Sequence, residues 1–199
     1  MKRLRLLICI SFAAFSGLGC SIVKASMVRD DWKSDDATKV KRLAIVVRPA
    51  PAANQKAGEA WARIARRYVN QKRDFLVKKE LIPSTAPQLS EVCGGEDAIE
   101  GVLFLEPSAV AKGDGFEVDV KGKLARCADG RESWTGQAAG SFPSKDQLLV
   151  EVTAVYVKEF GAEVEPLVAP AMNVLRPLLD TLPQPTLTEA DVDEKLTLD

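Results

Sequence analysis

Residues 39–48 hold Val40, Leu43, Ala44, Ile45, Val46 and Val47 in an almost unbroken apolar run that ends at Pro49. Density of β-branched residues over so short a run predicts a strand buried on both faces. Pro49 to Asn54 follows as a turn. The period then changes. From Gln55 to Lys72, Trp61, Ile64, Ala65, Tyr68 and Val69 recur on one helical stripe, with Arg63, Arg66 and Arg67 mostly on the other side. Residues 74–81 set Phe75, Val77, Lys79 and Leu81 against Leu76, Lys78 and Glu80. They fit a strand or an extension of the helix; Pro83 and Pro87 just beyond favour the strand. Residues 84–99 form a loop or short helix, with a turn at Cys93-Gly94-Gly95. Gly101 to Glu106 is a short apolar strand stopped by Pro107.

Alternation returns at Phe116 to Cys127, where Phe116, Val118 and Val120 oppose Glu117, Asp119 and Lys121. That pattern predicts a strand with one wet face. Asp129-Gly130 is a hairpin signal, and the return strand runs from Glu132 to about Phe142. Small residues Gly136, Ala138, Ala139 and Gly140 line it. Ser144 and Gln147 form a capping-box pair. They open a helix to Phe160 with Leu148, Leu149, Val152, Val155 and Tyr156 inward, closed by Gly161. A second helix starts near Pro166, with Pro170 and Pro177 as points of breakage or kinking. The final stretch reads as an extended tail, and its alternation at Lys195 to Leu198 would suit a last edge strand. The order of elements predicts an α/β (α+β) chain: a single two- or three-layer domain with a mixed β-sheet and about three helices.

The first twenty residues follow another logic. Lys2, Arg3 and Arg5 precede an apolar run, Leu6 to Phe15, interrupted by Ser11. Small residues Ser16, Gly17 and Gly19 lead to Cys20. This is the three-part layout of a secretory signal, and its apolar run is shorter than the roughly 20 residues that span a bilayer. The end of the segment resembles the processing box of bacterial lipoproteins. Gly19 takes the position before the cut and Cys20 that of the lipidated residue, while Leu18 lies one place later than the usual leucine. Cleavage by an ordinary signal peptidase is the alternative. The resemblance implies an acylated N-terminus, and Ser21 after the cysteine is compatible with sorting to the outer membrane. The chain then divides into a signal peptide (1–19), an acidic tether after lipidated Cys20 (20–38), an α/β domain (39–181) and an extended tail (182–199).

Composition narrows the chemistry. The chain has 199 residues, 46% of them hydrophobic and 28% charged, which is globular usage. It has no histidine, so histidine-based triads and imidazole zinc sites are excluded. Loss of residues 1–19 removes three basic residues and no acid, moving the formal net charge from −1 to −4. No basic stripe remains, which disfavours nucleic acid. Lys39, Lys41 and Arg42 read as a solvated strand edge. Cys93 and Cys127 are left as a pair. In an oxidising compartment they are expected to form a disulfide, the alternative being two free cysteines. No cofactor and no metal site is indicated.

Phosphate-binding glycine loops, the Gly-x-Ser-x-Gly elbow and EF-hand spacing are all missing from the sequence. Gly113-Asp114-Gly115 reads as a turn. Glu100 and Glu106 are the one carboxylate pair near a strand that could be tried for acid–base work. Trp134 and Arg131 lie near a hairpin tip and, with Leu182, Pro183, Gln184 and Pro185 of the tail, are the candidate partner-binding residues; packing competes with binding as the role of Trp134.

The segment Val174 to Pro185, the triplet Asp193-Glu194-Lys195, the strand Lys41 to Val47 and residues Leu103 to Pro107 together resemble an uncharacterised lipoprotein family known mainly from myxobacteria and spirochaetes. That family implies no activity and no catalytic residue. The order of elements is also similar to the α/β domain of Tol-type and curli-secretion lipoproteins, a likeness of fold alone. Two functions follow. One is a lipid-anchored binding or assembly module without catalysis, recruiting a protein in the cell envelope at the periplasmic side of the outer membrane. The other is a carboxylate-dependent hydrolase of an envelope polymer, needing two acids roughly 5–9.5 Å apart in a cleft, one with a raised pKa. An apolar-ligand carrier is a weaker third.

Overall fold

The computed structural model describes residues 21–48 and 55–198. The signal segment and Cys20 lie outside the described residues. Six strands form one mixed sheet in the order β1-β6-β5-β4-β2-β3. These are β1 (Val23–Val28), β2 (Arg42–Val47), β3 (Leu76–Leu81), β4 (Gly101–Lys112), β5 (Gly115–Arg126) and β6 (Glu132–Pro143). The helices are α1 (Gln55–Lys72), α2 (Leu89–Val92), α3 (Val150–Phe160), α4 (Glu165–Leu179) and α5 (Glu189–Lys195). The fold class is α/β, with more helices than the three expected.

β2 is parallel to both β3 and β4, whereas β4, β5, β6 and β1 form an antiparallel run. A parallel pair needs a crossover, which α1 supplies between β2 and β3. The helical stripe read from the sequence faces the sheet: Trp61, Ile64, Ala65 and Val69 are buried beside Leu43, Ile45 and Val47. The opposite side of β2, Ala44 and Val46, packs with Val92, Ile99 and Val102 in a second, smaller core. β2 is therefore buried on both faces, as its continuous apolar run requires. The second core is roofed by residues 82–99, stapled to the end of β5 by the Cys93–Cys127 disulfide, with Cα atoms 5.6 Å apart. The β2–β4 region has three layers; the β5–β6–β1 region has two.

Several expectations give way. β4 does not stop at Pro107 but runs on to Lys112, with Pro107 opposite Val120 of β5. β2 pairs with β4 only as far as Leu105. Beyond that point the proline's missing donor faces a side with no strand, where a ladder tolerates it. α4 passes through Pro170 and Pro177 without interruption. Ser144 does not cap α3. It donates to the carbonyl of Asp114 at 2.6 Å, while Asp146 accepts from the Leu148 amide and a short 3-10 turn precedes the helix. Leu148 and Val155, expected inward, are exposed. Gly161 ends α3 at φ 101°, a backbone conformation that glycine adopts freely.

Both flanking segments are folded. Residues 20–38 were expected to be a tether, yet Val23–Val28 form an edge strand paired with β6. Trp32 is buried against Phe75, ring centroids 6.2 Å apart. Residues 182–199 were expected to be extended, with an edge strand at 195–198. Instead Leu182 is buried and Glu189–Lys195 is a helix, capped by Thr188 and Asp191 in reciprocal hydrogen bonds.

Candidate binding surface

Strand alternation sends every second side chain of β4, β5, β6 and β1 toward the helices. Val118, Val120, Leu124, Trp134 and Ala138 fill that side. Trp134 lies where only small neighbours fit. A Cβ at Gly122 or Gly136 would come within 2.9 and 2.5 Å of its ring. The other set of side chains points away from the helices, and over β5, β6 and β1 no element among the described residues covers it. There a groove of about 450 Å³ is lined by Ala25, Met27, Phe104, Glu106, Lys121, Lys123, Thr135 and Gln137. A second groove of about 320 Å³ shares Phe104, Glu106 and Lys123 and is walled by Pro87 and Leu89 of the disulfide-held roof. The two form one surface centred on Phe104.

Three of its four lining charges, Arg48, Glu106 and Lys123, are paired. The Lys123 ammonium lies 5.4 Å from the centre of the Phe104 ring and 3.1 Å from Glu132. Glu106 pairs with Arg48, and Gln137 donates to Asp119 at 2.8 Å. The surface ends at β1, where Met27 is 64% exposed. Among the described residues β1 is the last strand of the sheet, so one row of its backbone N–H and C=O groups faces outward with no described strand beside it.

The residues singled out from sequence fare differently. Cys93 and Cys127 are bonded to each other. Trp134 is buried, not presented: its Nε1 donates to Thr181 Oγ1 at 3.1 Å and Ser26 Oγ at 3.3 Å. Arg131 lies within 3.3–3.7 Å of Asp31, Asp35 and Asp36. Leu182 and Pro185 are buried and Pro183 is half-buried. Gln184 accepts from Trp32 Nε1 with its carbonyl at 3.1 Å and from the Asp74 amide with its side chain at 3.0 Å. The start of the tail is thus part of the fold: Leu182 and Pro185 are buried, and the Leu182 and Gln184 carbonyls accept from Arg73 and Trp32.

Glu100 and Glu106 do not form a pair. They are six residues apart along one strand, about 20 Å at 3.3 Å per residue. Glu100 accepts the Lys41 and Arg42 amides at 2.7 and 2.9 Å. The carboxylates with shifted proton affinity all move downward. Lys41 beside Asp191, Arg42 beside Glu194 and Arg126 beside Asp129 hold those carboxyls below the usual range through direct hydrogen bonds. A general acid needs the opposite shift. Among the described residues, no group of His, Cys, Asp and Glu could hold a metal.

What the sequence reading missed is an ion-pair cluster at the start of β2. Lys41 lies 2.5 Å from Asp191, and Arg42 reaches Asp191 at 2.8 Å, Glu194 at 2.5 Å and Glu100 at 3.3 Å. Lys78 meets Glu194 at 2.5 Å. These groups bind α5 to the sheet. Of the basic residues read as a solvated edge, Lys41 is thus buried and Arg42 half-buried, while Lys39 is exposed as read. The Thr188-x-x-Asp191 spacing was the available signal for α5. A second cluster buries Asp36, which takes hydrogen bonds from Ser133 at 2.5 Å and Arg126 at 2.7 Å.

No family model matches the chain, and no curated protein matches its sequence. Solved structures overlap it weakly. The PelC dodecamer from Paraburkholderia phytofirmans is 16% identical over 71% of this chain and 90% of that one, with a TM-score of 0.36. Lipoprotein GNA1162 from Neisseria meningitidis is 14% identical over 63% and 99%, TM-score 0.35. The LpoB C-terminal domain from Salmonella enterica is 15% identical over 56% and 90%, TM-score 0.32. Likenesses this slight assign no activity. Among the described residues no helix is long and apolar enough to cross a membrane.

Proposed function

We propose that this chain is a lipid-anchored binding module of the bacterial envelope, without catalysis of its own, which holds a protein partner on strand β1 and the open sheet face beside it. Residues 1–19 are its export signal, Cys20 carries the lipid, and the domain faces the periplasm from the outer membrane. The observation that supports the binding reading is the outer edge of β1, unpaired among the described residues, next to a groove that none of them covers. An exposed edge supplies main-chain hydrogen bonds to an added strand, and pockets for alternate side chains supply selectivity. The candidate residues of the hairpin tip and tail contribute by holding β1 and the sheet in place. The resemblance to the uncharacterised lipoprotein family of myxobacteria and spirochaetes fits this reading.

A photo-crosslinking residue at Met27 tests it in the native envelope. The same residue at Asp129, on the hairpin between β5 and β6, is the control. A discrete protein adduct from position 27 and none from 129 is the expected result. Equal or absent adducts would remove the edge as the binding site. Intact mass of the mature protein checks the anchor: acyl chains on Cys20 are expected, and Cys20→Ser should leave the protein out of the membrane fraction.

A further inference from the structure

The acidic tether expected after the anchor does not exist, and this fixes which end of the domain meets the bilayer. The inference rests on acylation of Cys20, as proposed above. Ser21 follows Cys20 directly, and Ile22 is already in the sheet, its carbonyl accepting from the Ala139 amide at 2.9 Å. From Ile22 back to Cys20 the chain reaches at most about 7 Å. β6 continues four residues past Ala139 to Pro143, about 13 Å at the strand rise. β1 is antiparallel to β6, so its first residues point the same way as that extension. The β4–β5 hairpin ends there too: Gly115 is paired with Pro143, and Ser144 donates to Asp114. The hairpin tip therefore projects beyond the anchored residue.

We infer that the β4–β5 hairpin tip, with the residues that follow β6, rests on the lipid surface, in contact with headgroups. The chemistry of that end suits it. Val110 is 62% exposed on the hairpin, in the hollow it shares with Ile22, Lys24 and Phe142. Lys112 and Lys145 are exposed at the tip and just past β6, each beside a carboxylate, Glu117 and Glu165. Asp114 and Asp146 lie at the same end, so net charge does not favour the contact; it rests on where the short connection places the tip and on long ammonium side chains beside Val110 that reach headgroups. With this end down, the β5–β6 hairpin at Asp129 lies at the far end of the strands, away from lipid.

The test uses the full lipidated protein in vesicles of phosphatidylethanolamine and phosphatidylglycerol. An environment-sensitive fluorophore is placed by Val110→Cys, with Asp129→Cys as control; the native cysteines are acylated or disulfide-bonded. A headgroup-level nitroxide lipid should quench the label at 110 several-fold more than the label at 129. Equal quenching with the protein co-floating would overturn the orientation while leaving the anchor intact. Failure to co-float would overturn both. Protection of the 110 label from aqueous iodide without lipid quenching would place a protein there instead and would overturn the lipid contact. A flexible Gly-Ser insertion between Cys20 and Ser21 should preserve co-flotation and lower quenching at 110 toward the control. Unchanged quenching would overturn the role of the short connection.

Discussion

The two ends of the folded chain are attached to the same sheet by different physics. β1 is held by its backbone ladder to β6, and all but one of its side chains are exposed. Residues 182–198 are held by side chains: Leu182 and Pro185 are buried, and Asp191 and Glu194 are clamped by Lys41, Arg42 and Lys78. A ladder satisfies one row of backbone groups and leaves the other row available. A cluster of ion pairs consumes the groups on both sides. The N-terminal segment is thus fitted to present itself, and the C-terminal segment to close the fold. They meet at Trp32, whose indole donates to the Gln184 carbonyl, and at Trp134, whose indole lies between Ser26 and Thr181.

The clamp should be the costlier of the two to break. Asp191 is 3% exposed, and its removal strands Lys41, itself only 11% exposed, beside Arg42. Asp191→Asn should destabilise by about 3 kcal/mol, the ordinary cost of breaking a buried pair, measured by urea denaturation at neutral pH. Acid should erase part of that difference. Lys41 holds the folded-state pKa of Asp191 below its unfolded value of about 3.9. The contribution is complete above that value and is lost as pH falls through the folded pKa. The gap between parent and Asp191→Asn should therefore narrow below about pH 4. A constant gap would show that Asp191 binds protons equally in both states.

The seam between the segments is the next weaker test. Trp32→Phe retains the aromatic contact with Phe75 but removes the donor to Gln184 and some buried area. A loss of about 1–2 kcal/mol is expected. Hydrogen exchange should report it on both sides at once, at the Thr186 amide, which donates to the Ala37 carbonyl at 2.7 Å, and at the Ala37 amide. Faster exchange at one side only would mean that the two ends are held independently.

The contrast also explains what could be read from the sequence. β2, α1 and the β5–β6 hairpin are set by apolar period and turn residues, and they lie where that pattern places them; α1 begins and ends at Gln55 and Lys72 as read. The disulfide was expected from two cysteines in a chain that reads as exported. The terminal segments were misread because charge was taken for solvation. Asp36 and Asp191 look like surface residues until their partners are known, and those partners lie 90 and 150 residues away. Proline misled for a similar reason. Pro107 ends a strand only if its amide has a strand to face, and that depends on how far β2 extends. The proposed binding surface was the least legible part. Met27, Thr135 and Lys121 form a groove only because none of the described residues covers them, and what is left uncovered is decided by the whole topology.

The smallest expected change in stability should carry the largest change in binding. Met27 is 64% exposed on β1, and its side chain borders the groove without entering the core. Met27→Asp should alter the unfolding midpoint by no more than about 0.5 kcal/mol, as for surface sites generally. A charge beside an exposed edge is nonetheless a strong deterrent to strand addition. The yield of partner crosslinked from a neighbouring position, Thr135, should fall to background in the Met27→Asp protein, with the domain still folded and still in the membrane fraction. The opposite ranking would reverse the assignment of roles. If Asp191→Asn, rather than Met27→Asp, selectively removed the adduct at temperatures where both proteins are folded, α5 would be part of the binding surface and the bare edge would have no function in it.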